Sequence, residues 1–198
     1  MSTRPGGRTA AVRDAVLRAT GDLLVDNGLS GVELSAVAEL AGVGKSTVYR
    51  RWGTVPALVA DLLADMADTS TPRSHTGTLR GDLLTSAHLI RRTFADPRQG
   101  PLFKAIIAAA TCNADTAEAL ANFYDTRLRE LSPMVADAVA RGDAPEGTDG
   151  AEVIRYVSAP LYYQFLTTTT RLTRADADRS VAAAMAAVKA GVFVRRAP

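Results

Sequence analysis

The stretch from Glu33 to Trp52, E-L-S-A-V-A-E-L-A-G-V-G-K-S-T-V-Y-R-R-W, constrains the chain more than any other. Two short amphipathic segments flank Gly42-Val43-Gly44. In the first, Leu34, Val37, Ala38 and Leu40 recur at helical spacing. In the second, about Lys45 to Trp52, Val48 and Trp52 (i, i+4) turn inward. Glycine tolerates the positive φ of a sharp helix–helix turn, and Val43 reads as a buried plug between the two glycines. Lys45, Ser46, Thr47, Tyr49, Arg50 and Arg51 are left facing outward. A short helix with one apolar anchor line and a basic, hydroxyl-rich outer face suits a DNA major groove. Its Lys and Arg side chains reach phosphates or guanine edges, and its hydroxyls donate to phosphate oxygens. A charge run alone reads more simply as a solvated face. Its position directly after a helix and a glycine turn favours the DNA reading.

Gly44-Lys45-Ser46-Thr47 also looks like the end of a phosphate-binding loop. That motif needs a glycine where this chain has Glu39, and a preceding strand where it has Ala- and Leu-rich sequence. Nucleotide binding is rejected on both grounds.

Residues 9 to about 66 resemble the N-terminal DNA-binding domain of the TetR/AcrR family of transcriptional regulators. The residues that carry the resemblance are Asn27-Gly28, Val37-Ala38-Glu39-Leu40-Ala41-Gly42-Val43, Lys45 to Trp52, and Ala57-Leu58. The resemblance implies an all-helical homodimer on a near-palindromic, inverted-repeat operator in double-stranded DNA. It also implies a divergent C-terminal domain that senses a small-molecule effector. The family commonly has a phosphate-contacting Lys just after the cap of its fourth helix. Here that place is Val55, which shifts the expected burden to Arg50, Arg51 and the N-terminal arm.

Composition agrees with an all-α chain. Apolar residues make up 47% and aromatics only 6%, with abundant Ala and few β-branched runs. Three parts are expected: a three-helix DNA-binding domain over 1–53, a linking helix and loop over 54–78, and a ligand-binding and dimerisation domain over 79–198, about nine helices in all. The net charge is +2. Residues 1–53 hold seven Lys/Arg against five Asp/Glu, and the remainder is balanced. The small excess sits in the expected DNA-binding part. No apolar run approaches the roughly 18 residues of a membrane span, and residues 1–8 lack a secretory apolar core. Cys112 is the only cysteine, which fits a cytoplasmic location. No metal cluster or cofactor motif is evident.

Residues 1–8 read as a flexible basic arm, with Arg8 placed to touch DNA. Helices are expected over Thr9 to Asn27 with Gly28 as a left-handed cap, and from the Thr54 cap onward with Leu58, Leu62 and Met66 inward. A polar loop over 69–78 precedes a helix over 79–95, which Asp96-Pro97 ends. A short apolar helix follows over 102–111. The pattern over 114–141 is long, and Pro133 should kink or split it. The last two helices are expected over 149–172 and 174–194. The first of these is apolar nearly all round, and the second repeats Val181, Met185, Val188 and Val192 like a heptad seam. We therefore expect Val153, Val157, Leu161, Val181, Met185, Val188 and Val192 to pair with a second copy. For the effector, His88, Arg91, Phe103, Ile107, Phe123, Arg127, Tyr162 and Phe165 combine aromatics with a few polar groups, as ligand sites do, and suggest an apolar or amphipathic ligand. Binding between the helices over 79–95 and 149–172 would shift the fourth helix and alter the spacing of the two reading heads.

Two other classes compete. An α-helical enzyme would need a catalytic constellation, and no GxSxG, HExxH, paired-Cys or dinucleotide motif is present. A protein-interaction module would not need the outward chemistry of residues 45–51.

Overall fold

The computed structural model describes residues 5–70 and 73–195, with side chains from residue 9 onward. Among them are ten α-helices and one 3₁₀ turn: α1 (Pro5–Asn27), the turn Leu29–Gly31, α2 (Leu34–Leu40), α3 (Lys45–Arg51), α4 (Val55–Asp68), α5 (Leu79–Ala95), α6 (Gln99–Ala110), α7 (Ala114–Leu131), α8 (Pro133–Arg141), α9 (Gly150–Thr167) and α10 (Arg174–Lys189). None of these helices is long and apolar enough to cross a membrane. The residues sort into two compact units, one of residues up to 70 with 101–124, the other of 71–100 with 125 onward.

In the first unit α1 packs on α2 and α4, and α2 packs on α3. Val16, Leu17, Leu24, Val37, Ala38, Val48, Leu58 and Leu63 are buried at its centre, as are Leu102, Phe103 and Ile106 from α6. The helix α1 begins at Pro5, four residues before the expected start, because proline suits a first helical position where no N–H is required. Residues 1–4 of the expected arm lie outside the described residues. Gly28 follows α1 at φ 65°, ψ 178°. That is a glycine conformation, but not the left-handed helical cap expected. The α4 cap is as expected: the Thr54 hydroxyl accepts from the Ala57 N–H.

In the second unit α5, α9 and α10 pack against one another, and α8 against α5 and α9. The Asp82 carboxylate is buried beneath the polar loop and accepts from the Thr76 N–H at 2.7 Å. Asp96 accepts from the N–H groups of Arg98 and Gln99, both at 2.9 Å, so the residue that closes α5 also starts α6, earlier than Leu102. Those donors, Gln99 first, hold its carboxyl below the ordinary range. The pattern over 114–141 is divided, with Pro133 opening α8.

Both final helices stop short of their expected ends. α9 ends at Thr167, where the Thr167 and Thr168 hydroxyls bond back to the Tyr163 and Gln164 carbonyls and the chain turns extended. α10 ends at Lys189, ahead of Gly191 at φ 71°. Residues 193–195 then return to the loop before α9. The Asp149 N–H donates to the Phe193 carbonyl at 2.8 Å, and the Arg195 guanidinium pairs with the Asp149 carboxylate.

Candidate nucleic-acid interface

The α2–α3 corner is built from a hydrogen-bonded stop signal. The Gly42 N–H donates to the Glu39 carbonyl at 3.1 Å, and the Val43 N–H reaches back to the Ala38 carbonyl at 2.9 Å. This is a Schellman end, which requires a left-handed residue at Gly42, and Gly42 has φ 66°. Gly44 has φ −59° and is instead the residue that opens α3, so only one of the two glycines supplies positive φ. Val43 is half-buried rather than a sealed plug. Leu40, expected on the inner line, is 57% exposed, because α2 turns only Leu34, Val37 and Ala38 inward.

Val48 is fully buried and anchors α3. Around it Lys45, Ser46, Tyr49, Arg50 and Arg51 are exposed and Thr47 is half-exposed. Lys45 and Arg50 enter no ion pair among the described residues, so their charge is available to an outside anion. The Arg51 guanidinium lies 4.8 Å from the Trp52 ring centroid, a cation–π contact that orients it from below. The Arg8 side chain lies outside the described residues.

A network that the sequence reading passed over holds the end of α3. The Trp52 indole N–H donates to the Asp61 carboxylate at 2.8 Å. From α1, the Arg13 guanidinium pairs with Asp61 at 2.8 Å and with Asp65 at 2.5 Å. Burial would raise the Asp61 pKa, but the hydrogen bonds from Arg13 and Trp52 outweigh it and hold the carboxyl below its ordinary value. The Arg13 guanidinium is correspondingly held in its charged form, chiefly by its hydrogen bond with Asp61. One carboxylate thus joins α1, α4 and the end of α3. The available signal was an Asp pair at i, i+4 on an apolar helix, together with an Arg beside the buried stripe of α1.

The eight residues expected to line a ligand site divide between the two units. Phe103, Ile107 and Phe123 belong to the first, where Phe103 and Phe123 meet edge-on at 5.9 Å. His88, Arg91, Arg127, Tyr162 and Phe165 belong to the second. There Phe94 of α5 stacks on Phe165 at 4.0 Å and meets Tyr162 edge-on at 4.7 Å. His88 Nε2 lies 3.0 Å from an Asp178 carboxylate oxygen, and Arg127 pairs with Glu130.

The residues expected at a dimer seam require a correction. Val153, Val157, Leu161, Val181 and Val188 are 0–2% exposed in the single chain, so they have no surface left to offer a second copy. Met185 is half-buried. Val192 is 64% exposed but lies beyond the end of α10. The exposed strip of α9 is a different one: Tyr156, Ala159, Pro160 and Tyr163.

The comparisons with known proteins agree with this architecture. Residues 16–62 match the family model described as bacterial regulatory proteins, tetR family, and residues 73–184 match the tetracyclin repressor-like C-terminal domain. The HTH-type transcriptional regulator AqdR of Rhodococcus erythropolis is 31% identical over 150 residues, spanning 74% of this chain and 70% of its own. The HTH-type regulator YdeS of Bacillus subtilis is 28% identical over 168 residues, 84% of each chain. In fold, Salmonella enterica GusR superposes with a TM-score of 0.77 at 21% identity, covering 94% of this chain and 98% of its own.

Proposed function

Because the chain belongs to the TetR family, and is therefore a DNA-binding transcriptional regulator rather than a member of an enzyme family, we propose that it acts as a homodimeric, cytoplasmic repressor that reads an inverted-repeat operator with α3 and responds to a small effector. One observation carries the reading. The outer face of α3 presents Lys45, Ser46, Tyr49, Arg50 and Arg51 to solvent while Val48 and Trp52 fix its inner side. In a dimer two such helices must stand about one DNA turn apart, roughly 34 Å, or a small multiple, to enter successive major grooves. Repression by blocking promoter access follows from occupancy of such an operator. The repressors MexZ and NalD of Pseudomonas aeruginosa share the fold at 16% and 18% identity.

We divide the work along the chain as a reading head over 1–53, a linking segment over 54–78, and an effector and dimer domain over 79–198. Within the first unit, a movement of α4 reaches α3 through Asp61 and Trp52. The dimer surface we assign to the exposed strip of α9, Tyr156, Ala159, Pro160 and Tyr163, with the exposed alanines Ala182 and Ala186 of α10 alongside. Aromatic rings beside small residues allow two copies to approach closely about a two-fold axis.

The test is selection of bound sequences from a random double-stranded DNA pool. The wild-type protein is expected to enrich an inverted repeat, and Arg50→Ala to lose most of that enrichment. A folded, dimeric protein that enriches nothing overturns the operator reading. For the interface, Tyr163→Asp is expected to give a monomer by light scattering at micromolar concentration, and an unchanged dimer mass overturns the assignment of the α9 strip.

A further inference from the structure

Among the described residues of the second unit, His88 Nδ1 and Arg91 Nε are buried with no hydrogen-bond partner. They stand on the same strip of α5, one turn apart (i, i+3). A buried polar atom without a partner is costly, and native proteins keep few of them. Two on one strip mark a place where something outside the chain supplies the missing bonds. Next along that strip is Phe94, which stacks on Phe165 and meets Tyr162 edge-on.

The chemistry of the missing partner follows from what each atom can do. Arg91 Nε always carries a proton and can only donate. Arg91 enters no ion pair among the described residues, so its positive charge is uncompensated by the protein. His88 Nε2 faces the Asp178 carboxylate at 3.0 Å, which places a proton on Nε2. Nδ1 then accepts a hydrogen bond from a hydroxyl, or donates one to an oxyanion when the ring is charged. A single acidic oxygen answers both atoms: it accepts from Arg91 and shares a proton with His88. An amine would be repelled by Arg91, and a hydrocarbon would leave both atoms unpaired.

We propose that the effector carries an acidic oxygen, that of a phenol or a carboxylate, on a flat apolar body, and that His88 and Arg91 hold that oxygen while Phe94, Tyr162 and Phe165 face the body. This deepens the effector reading above and rests on it. Asp178 is a positioning residue in this scheme: it fixes which His88 nitrogen is left for the ligand.

The experiment is calorimetric titration of the full-length protein with four probes: 2-naphthol, 2-naphthoate, and their capped counterparts 2-methoxynaphthalene and methyl 2-naphthoate. At least one acid is expected to bind about tenfold or more tighter than its capped counterpart, the size of effect a charge-assisted hydrogen bond supports. The arm with the larger difference identifies phenol or carboxylate. Arg91→Met and His88→Gln are expected to erase that difference, bringing each acid's affinity to about that of its capped counterpart in the same variant. A second readout separates ligand binding from a structural role. Arg91→Met, which loses no protein bond at Nε, is expected to melt at or above the wild-type temperature without ligand. Equal binding of acids and capped compounds, binding of none of the four, a difference that survives both substitutions, or a clear fall in the melting temperature of ligand-free Arg91→Met overturns the proposal. Gel retardation on the selected operator keeps the two readings apart. A protein that holds its operator but ignores the acids refutes this inference alone, whereas one that takes the acids and holds no DNA refutes the operator reading.

Discussion

The α2–α3 corner and the α5/α9/α10 layer solve opposite problems. The corner is small and buries little, so its geometry rests on specific bonds: a Schellman end at Gly42, one buried valine, and an indole N–H on a carboxylate that Arg13 neutralises. Its polar groups are either paired inward or left free outward. The layer is held by apolar ridges, with Leu83, Ala87, Val153, Val157, Leu161, Val181 and Val188 all buried. The Ser180 hydroxyl donates to the Val157 carbonyl at 2.5 Å, a buried cross-link between α10 and α9. The layer tolerates unpaired polar atoms on α5 because its packing carries the stability. On the proposed reading, a surface that meets DNA in one orientation is fixed by directional bonds, and a region that admits a ligand is fixed by packing that leaves polar atoms unanswered.

The contrast breaks most visibly at Leu161. Truncation to Ala removes a fully buried side chain from the layer, and large-to-small changes of this kind cost about 2–5 kcal/mol. Chemical denaturation should show that loss, while operator affinity at a temperature where the variant remains folded stays near wild type. A matching loss of operator affinity in the folded variant would mean that the two regions are not energetically separate.

Asp61→Asn is expected to rank next. Asn keeps an acceptor for Trp52 but leaves Arg13 with only Asp65, and removing the charge of a part-buried pair costs about 2 kcal/mol once its partial exposure is allowed for. Unlike Leu161→Ala, this change should weaken DNA binding as well as stability, because Trp52 closes α3. The pH dependence has a definite sign. The folded-state pKa of Asp61 is lowered, so its contribution is fully present above its ordinary value of 3.8 and is lost as the pH falls below that. The stability gap between wild type and variant should therefore be constant near neutrality and close in acid. A gap that widens in acid would contradict the assignment.

Arg50→Ala sharpens the comparison from the other side. Arg50 is exposed and enters no ion pair among the described residues, so its loss should leave melting unchanged. Operator affinity should fall by about 1–3 kcal/mol if Arg50 reads a guanine edge, with relaxed preference at one base pair. If it contacts phosphate alone, affinity should fall uniformly across sequences and the salt dependence should become shallower by about one ion.

The two regions were also unequally legible in the sequence. Local signals were read correctly wherever the chemistry is local: the Thr54 cap, the α5 limits Leu79 and Ala95 between Thr78 and Asp96, and the break at Pro133. The same holds for which residues of α3 face outward, because seven residues with one anchor line leave little choice of outward positions. What periodicity could not supply was the identity of the covering partner. Val153, Val157, Leu161 and Val181 share apolar faces as read, but α5 and the other helix of the pair cover them, not a second copy. The exposed strip was hidden because Tyr156, Pro160 and Tyr163 look like ordinary helix content, and Pro160 inside a helix carries no outward-facing label. Asp178 was invisible, and Asp61 marked only by its spacing from Asp65, for a related reason: each pairs with a residue far away in sequence, Asp178 with His88 and Asp61 with Arg13.

Gly42→Ala is the smallest and cleanest break. A Cβ added there meets nothing within 4 Å, so no steric clash is involved and the cost is purely that of the left-handed backbone. Holding a non-glycine residue at φ 66° costs about 1–2 kcal/mol, offset in part by the roughly 0.4–1 kcal/mol gained from a less flexible unfolded chain. A net loss of at most about 1.6 kcal/mol in denaturation is expected. Operator affinity should drop by less than threefold, because the Schellman bonds from Gly42 and Val43 are made by backbone that alanine also possesses. A larger affinity loss at unchanged stability would show that the corner relaxes its turn rather than tolerating the strain, with α3 moving off the angle at which Val48 holds it. That would place the precision of DNA reading in the turn itself, and the Asp61 network would then only steady the far end of the helix.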